Sequence, residues 1–545
     1  MAKLTYEIKG ILAGMSQYYY HTPELGYKWG LGIDPDANKN LSVGTFLQAA
    51  GAITPVPYTK FSGTEVTGYP NWIITQPKTE NSFVYASDGK LHSFNNVLVM
   101  RTADEAPTAL PISLTNGNGS GGAYYNNFLY LMLSDDVSQY GPLDGGSAVV
   151  LTADVWTGAK FSATALVNTT YPNIRGRNIP NHPAHYHIDD SLYFGDVLPS
   201  SGSTSLRGVI HKIKTQKASV DGDNNNGSQY NVLDLPYGCL PTDIESYGND
   251  LAIAAIQTTS DEINQGKPYL FLWDTISPSF YRQVPLPDSL VTALYNKNGQ
   301  LFVFTGNSVN GARVSEYLGG NTLNTIRYFE EGTAPFAGAV DAYGDKLVFG
   351  GYTTTPVTSA SVFAVGSVHP QEGVGLHNIA KSTSSGSNQS VSSVKFVQQH
   401  QTGVTPRMVI GWGDSDSKGL DKFSPAATET SYWQSEIFNV GRKFQITKIR
   451  IPLGTAVDDS GIAITPKIWV DDESASYTLA TINTTNFANS EKNIVYRSPS
   501  MATSSSSGEL NPSGEHNFML EFAFTGTAVR SILFPITIEV ETIDD

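Results

Sequence analysis

The stretch of this chain best equipped for chemistry is NHPAHYHIDD, which gathers His182, His185 and His187 with Asp189 and Asp190. Imidazole nitrogens and carboxylate oxygens ligate transition metals. Residues two apart on a strand project to the same side, so His185 and His187 have the spacing of a metal pair. His182, His185 and His187 are therefore the metal-ligand candidates. The same residues also read as a polar strand edge, with His187 standing where comparable segments carry a tyrosine.

Other motifs point away from catalysis. In DGDNNNG, Asp221, Asp223 and Asn225 alternate like the start of a calcium loop. The sixth place is Asn226 instead of Gly and the twelfth is Val232 instead of Glu, which leaves a hairpin tip. WGDSDSKG, from Trp412 to Gly419, reads the same way. Cys239, the single cysteine, lies in LPYGCLP and reads as a small buried apolar residue; it also excludes an internal disulfide framework. The chain has no G-x-S-x-G elbow, no P-loop and no G-x-G-x-x-G between a strand and a helix. The acidic pairs in VDDES and AVDDSG sit in hairpin-like stretches. No catalytic residue and no cofactor follow from these patterns, and the expectation is a protein that is not an enzyme.

Any such residues would be positioned by a repeat. Five segments share a Tyr or His, a turn of Gly, Asn and Asp, and an apolar strand: YYNNFLYLML, HIDDSLYFG, YGNDLAIAAI, YNKNGQLFVFTG and YGDKLVFGG. Their anchors Tyr125, His187, Tyr247, Tyr295 and Tyr343 are 62, 60, 48 and 48 residues apart. A β-unit at that period predicts propeller blades. The strands after each anchor can be followed, as in LVTALYNKNGQLFVFTGN, GARVSEYL and NTIRYFEEG. NSFVYASDGKLHSF reads as a blade before the five and TPRMVIGWGD as one after them, giving six or seven, with seven favoured. The blades lack WD40 spacing around Trp273-Asp274, and only Gly350-Gly351 carries the kelch glycine pair.

The remaining chain divides around this repeat. Residues 1–62 read as an extended arm or as a segment that closes the ring, residues 63–427 as the propeller, and residues 428–545 as a β-sandwich. In FMLEFAF, Phe518, Leu520, Phe522 and Phe524 share one face; in PITIEVETI, Ile536, Ile538, Val540 and Ile543 are set against Thr537, Glu539 and Glu541. Alternation of this kind describes a sheet with one dry and one wet face. The whole chain reads as all-β.

Composition narrows the function. The charged fraction is 15%, against about 25% in typical soluble domains. The net charge of −16 argues against nucleic-acid binding by phosphate neutralisation. The densest basic run, HKIKTQK from His211 to Lys217, reads as the wet face of an outer strand. MAKLTYEIKG lacks a signal-peptide core, and no apolar run reaches the ~18 residues of a membrane span, so folding in a reducing cytoplasm is expected.

The C-terminal strands carry a resemblance. YWQSEIFNVGRKFQITKIRIPL, ITPKIWVDDESASYTLATIN, GEHNFMLEFAFTG and LFPITIEVE resemble the closing module of tailed-bacteriophage virion proteins in which a propeller precedes a sandwich. FSGTEVTGYPNWIIT and FVYASDGKLHSF are similar to the opening blade of such proteins. The resemblance implies a non-catalytic tail component, a nozzle or tail-tip ring located in the virion. Its implied partners are other tail proteins and copies of itself, as a hexamer in preference to a trimer. The alternatives are a propeller that binds carbohydrate or a receptor, and a polysaccharide hydrolase with two carboxylates converging on one pocket.

Overall fold

The computed structural model describes residues 2–10, 14–15, 26–31 and 33 and the strands between 59 and 156. It then describes 183–199, 206–213, 229–258, 266–307, 311–329, 335, 337–343, 346–353, 359–367, 374–382, 390–397, 407–413, 418–422, 431–454, 457, 462–499, 510–526 and 532–543. Among these residues there is no α-helix, and one short 3-10 turn covers Ala337–Ala339.

Among the described residues seven sheets follow one another along the chain; the first five have four strands paired in sequence order, and the last two also recruit strands from the N-terminal segment. Blade 1 runs from Trp72–Gln76 to Thr108–Ser113 and blade 2 from Gly119–Tyr125 to Thr152–Trp156. Blade 3 comprises Ala184–Tyr186, Ser191–Pro199, Leu206–Ile213 and Gln229–Asp234. Blade 4 comprises Cys239–Tyr247, Asp250–Gln257, Lys267–Trp273 and Arg282–Pro285. Blade 5 comprises Leu290–Lys297, Gln300–Asn307, Gly311–Gly319 and Thr322–Phe329. Blade 6 comprises Val340–Tyr343, Lys346–Thr353, Ser359–Ser367 and Val374–Lys381.

Blade 7 takes Ser390–Val397, Arg407–Gly413 and Lys418–Lys422 from the far end of the repeat and completes itself with Thr59–Glu65 from before blade 1. The first strands of blades 7 and 1 lie against each other, as do those of blades 4 and 5. Wedge-shaped sheets diverge outward, so strands that meet their counterparts in this way occupy the hub, and contact between the last and first blades closes the ring. The protein is an all-β propeller followed by a sandwich.

Blade faces are apolar because they stack on one another. Leu240, Ala252, Ile256 and Leu272 of blade 4 pack with Val291, Leu301 and Val303 of blade 5. Gly350 marks one close approach: a Cβ there would stand 2.6 Å from Val391 Cγ1 of blade 7. The kelch-like glycine pair thus has a packing cause at its first member.

The sandwich draws strands from both ends of the chain. One sheet orders Lys3–Ile8, Ile536–Thr542, Phe444–Pro452 and Asn493–Arg497; the other orders Ala475–Thr478, Ile462–Val470, Asn517–Gly526, Ser431–Gln434 and Trp29–Leu31. Alternation is as the sequence predicts over Ile536, Ile538 and Val540, but Thr542 takes the next inward place instead of Ile543, because the stripe keeps period two. Thr542 is buried there with a partner, its Oγ1 accepting from Ala2 N–H at 3.0 Å.

The arm also joins the two parts. Gly14–Met15 and Gly26–Tyr27 extend blade 6 in parallel, and Trp29–Leu31 then enters the sandwich. Tyr27 is fully buried between them, its ring 5.8 Å from that of His377 on blade 6 and 6.0 Å from that of Trp433 in the sandwich core. Ile33 N–H donates to Asn378 O at 3.0 Å beside it.

Candidate functional site

In an antiparallel meander the turn joining the first two strands and the turn joining the last two emerge at the same end. Two places therefore concentrate polar side chains: the hub edge of the first strands, and the end of the ring where these turns emerge.

At the hub, each first strand has one edge paired to its own blade and one edge open, so its outward N–H groups need acceptors. Carboxylates of the preceding blade supply them. Asp243 of blade 4 is buried, and its Oδ2 accepts from Leu294 N–H of blade 5 at 2.5 Å while Oδ1 accepts from Ile244 N–H at 2.9 Å. Asp341 of blade 6 accepts Phe396 N–H of blade 7 at 2.8 Å and Ala342 N–H at 2.9 Å.

Asp341 also anchors a row. Glu245, Tyr295, Asp341 and Lys395 hold the same place in four successive first strands, two residues before the last paired position. Tyr295 hydroxyl donates to Asp341 Oδ1 at 2.8 Å, and Lys395 Nζ lies 3.5 Å from the same oxygen. Burial, and then the charge of Asp341, push the Tyr295 hydroxyl far above its ordinary range. The hydroxyl therefore stays a proton donor, and Tyr295, Asp341 and Lys395 brace blades 5, 6 and 7 to one another. Sequence reasoning missed this row, since its members sit 50, 46 and 54 residues apart and differ in type. The signal that finds them is their common offset from the hairpin turn.

The histidine segment lies at the turn end of blade 3. His182 lies outside the described residues. The strand ends at Tyr186, and residues 187–190 form the turn, so His185 and His187 do not lie along one strand as the sequence suggests. A four-residue turn here, where blade 4 uses two, causes the shift. The strand-end place filled by Tyr125 and Tyr247 is taken by Tyr186, not His187, and in blade 5 by Lys297, not Tyr295.

The two described histidines engage different groups. His185 Nε2 lies 2.8 Å from Asp190 Oδ1, and His187 Nδ1 lies 3.4 Å from Ser246 Oγ of blade 4. Among the described residues no cluster of three His, Cys, Asp or Glu side chains has metal-holding geometry. The strand-end tyrosines tie blades together: Tyr125 hydroxyl donates to Asp190 O, and Tyr186 hydroxyl donates to Asn249 O at 2.6 Å.

Of the basic run, His211 is buried instead of lining a wet face: its Nδ1 accepts from Asn231 N–H at 2.9 Å, and its Nε2 lies 3.5 Å from Asp196. Lys212 Nζ pairs with Asp189 Oδ2 at 2.6 Å. The remainder of that run and the DGDNNNG segment lie outside the described residues, except that Lys212 is joined by Ile213 at the strand end. Cys239 is buried in the blade 3–4 core, and burial pushes its thiol up to about 11, away from the thiolate form at neutral pH.

No family model matches the chain, and no curated protein matches it. Solved structures do. An exo-β-1,3-galactanase from Phanerochaete chrysosporium, solved with β-1,3-galactotriose, matches at 9% identity over 89% of this chain and 99% of its own, with a TM-score of 0.30. The Pan2 WD40 domain of Neurospora crassa matches at 10% identity over 68% of this chain and 97% of its own, with a TM-score of 0.39. The Dos1 propeller matches at 12% identity over 67% and 94%, with a TM-score of 0.37. Likeness at this level says nothing of activity, and the ring stands on its own strand pairing.

Proposed function

We propose that the protein is a non-catalytic structural component of a bacteriophage tail, a nozzle or tail-tip ring whose copies surround the tail axis with other tail proteins. The observation that carries the reading is the path of the arm. One N-terminal segment completes both sandwich sheets, extends blade 6 and supplies the closing strand of blade 7. Stitching of this kind suits a part that must transmit force without coming apart. The resemblance of the Tyr432–Leu453 segment to phage virion modules supports the same reading.

The hydrolase alternative needs two carboxylates presented to substrate. The buried hub carboxylates described, Asp243 and Asp341, are instead committed to backbone N–H groups. Antibody raised against the chain and imaged on purified virions by electron microscopy tests the proposal: label at the tail is expected, and particles lacking both label and the chain's peptides by mass spectrometry would end it.

A further inference from the structure

The propeller and the sandwich meet over a small seam. Among the described strands, the principal contact between them is Trp29–Leu31 of the sandwich against Val374–Lys381, the fourth strand of blade 6. The backbone contacts described there are the pairing of Gly14 with Leu376 and the bond from Ile33 N–H to Asn378 O. Tyr27 fills the space between, its hydroxyl oxygen 3.0 Å from His377 Nδ1.

A second proton on His377 finds no acceptor. The side chain is 1% exposed, Nδ1 is engaged by Tyr27, and Nε2 has no hydrogen-bond partner. Imidazolium carries N–H on both nitrogens, so its Nε2–H would be buried without an acceptor. Among the described residues, the charged groups that act on the ring are Lys346 from the second strand of blade 6 and Arg327 from the fourth strand of blade 5, both cations. The arm presents Tyr27, and beyond it the sandwich presents Trp433, which does not titrate. Lys28, the next residue of the arm, is turned to Glu473 of the sandwich. His211, buried in blade 3, is placed differently, with Asp196 at 3.5 Å from its Nε2. Burial, reinforced by Lys346 and Arg327, lowers the His377 imidazole to about 3.

Each side of the seam is firm in itself. His377 sits in a strand paired along its length with Ser359–Ser367, and Tyr27 leads into Trp29–Leu31, which pairs with Ser431–Gln434. Parting the two sides brings water to His377 without breaking either ladder, so it costs less than unfolding the blade or the sandwich.

We propose that this seam is an acid-operated latch: a proton taken up by His377 expels Tyr27 from blade 6 and frees the sandwich to move against the ring. An open seam lets the imidazole titrate near its ordinary 6.5, and a closed one refuses the proton. Each pH unit below that value therefore favours the open seam by up to about tenfold. From pH 7 to pH 5, above the ordinary carboxylate range, opening should rise about 25-fold. The latch does not rest on the tail proposal: absence of the chain from virions would leave it standing, and its failure would leave the tail reading standing.

Hydrogen exchange on the full chain, resolved to single amides and corrected for the intrinsic pH dependence of exchange, tests the latch. The Ile33 amide, bonded across the seam, should open about 25-fold more often at pH 5 than at pH 7. Its opening should depend on urea far less than that of Ile253 in blade 4 or Ile538 in the sandwich, because parting the seam exposes less surface than unfolding. His377→Gln should lose the acid response at Ile33, and Glu473→Gln should keep it, which separates the imidazole from the nearby carboxylate. An Ile33 opening indifferent to pH, or as urea-sensitive as those of Ile253 and Ile538, would overturn the inference. So would an acid response that survives His377→Gln or vanishes in Glu473→Gln. The pH and urea outcomes are read on the unaltered chain and decide the matter even where a variant fails to fold.

Discussion

The propeller and the sandwich are both antiparallel β around apolar cores, yet they recruit their strands differently. A blade pairs strands that follow one another in sequence, and side chains reaching one blade onward, such as Asp243 to Leu294 and Asp341 to Phe396, join it to the next. The sandwich pairs residues as distant as Ala2 and Thr542, and its core packs Ile8 and Tyr27 from the start of the chain with Ile446, Ile464, Phe522 and Ile538. The difference teaches that the ring joins units adjacent in sequence, through apolar faces reinforced by polar braces, while the sandwich depends on pairing between the two ends of the chain. Substitutions in the two regions should therefore fail differently.

The largest effect belongs to the sandwich core. Trp433 is fully buried and its ring stacks on Phe522 at 5.7 Å, so Trp433→Ala should cost about 3–5 kcal/mol in chemical denaturation. Hydrogen exchange should locate that loss in residues 431–543 and spare blades 3 to 5; equal loss in the blades would dissolve the contrast.

The joint between the regions should respond to acid. His377 is buried against Tyr27, and desolvation, reinforced by Lys346 and Arg327, lowers its imidazole to about 3. The unfolded chain protonates near 6.5, so between these values it holds a proton that the native state refuses, and stability falls as pH is lowered. The drop attributable to His377 should be about 3 kcal/mol from pH 7 to pH 4, and a His377→Gln variant should show a correspondingly flatter acid limb in pH-dependent melts.

Smaller effects should appear in the ring. Asp243→Ala leaves the buried N–H groups of Leu294 and Ile244 without their acceptor and should cost about 2 kcal/mol, with faster exchange at Leu294 as the specific sign. Gly350→Ala pushes a methyl group against Val391 and should cost about 1–2 kcal/mol by thermal denaturation. Smallest, Thr275→Gly relieves a left-handed residue and should be neutral to about 1 kcal/mol stabilising. A marked destabilisation there would mean that the Thr275 side-chain contacts outweigh the strain.

Much of the propeller is legible in sequence because each blade repeats a local grammar. The Asn298-Gly299 and Gly248-Asn249 turns allow positive φ at Asn298, Gly299 and Gly248, and the apolar strands follow within a few residues. The sites are less legible. His187 reads as an anchor by aromatic type, because nothing in the sequence marks the blade 3 turn as four residues long. The row from Glu245 to Lys395 is invisible to motif reading, since a brace depends on which backbone edge is left open and any side chain able to fill it will serve. Asp243 shows the same limit: its partner Leu294 is apolar and contributes only a backbone N–H.

By itself, then, the order of residues determined the β character, the recurrence of hairpins and the period-two stripes of Phe518–Phe524 and Ile536–Val540, because all of these depend on neighbours a few places away. Only the tertiary structure decided that Thr59–Glu65 closes blade 7, that Lys3–Ile8 and Trp29–Leu31 belong to the sandwich, and that Tyr27 meets His377 and Trp433. An open strand edge will accept many short segments of similar pattern, and the choice among them is made by which arrangement buries the most apolar surface while leaving the fewest backbone groups unpaired.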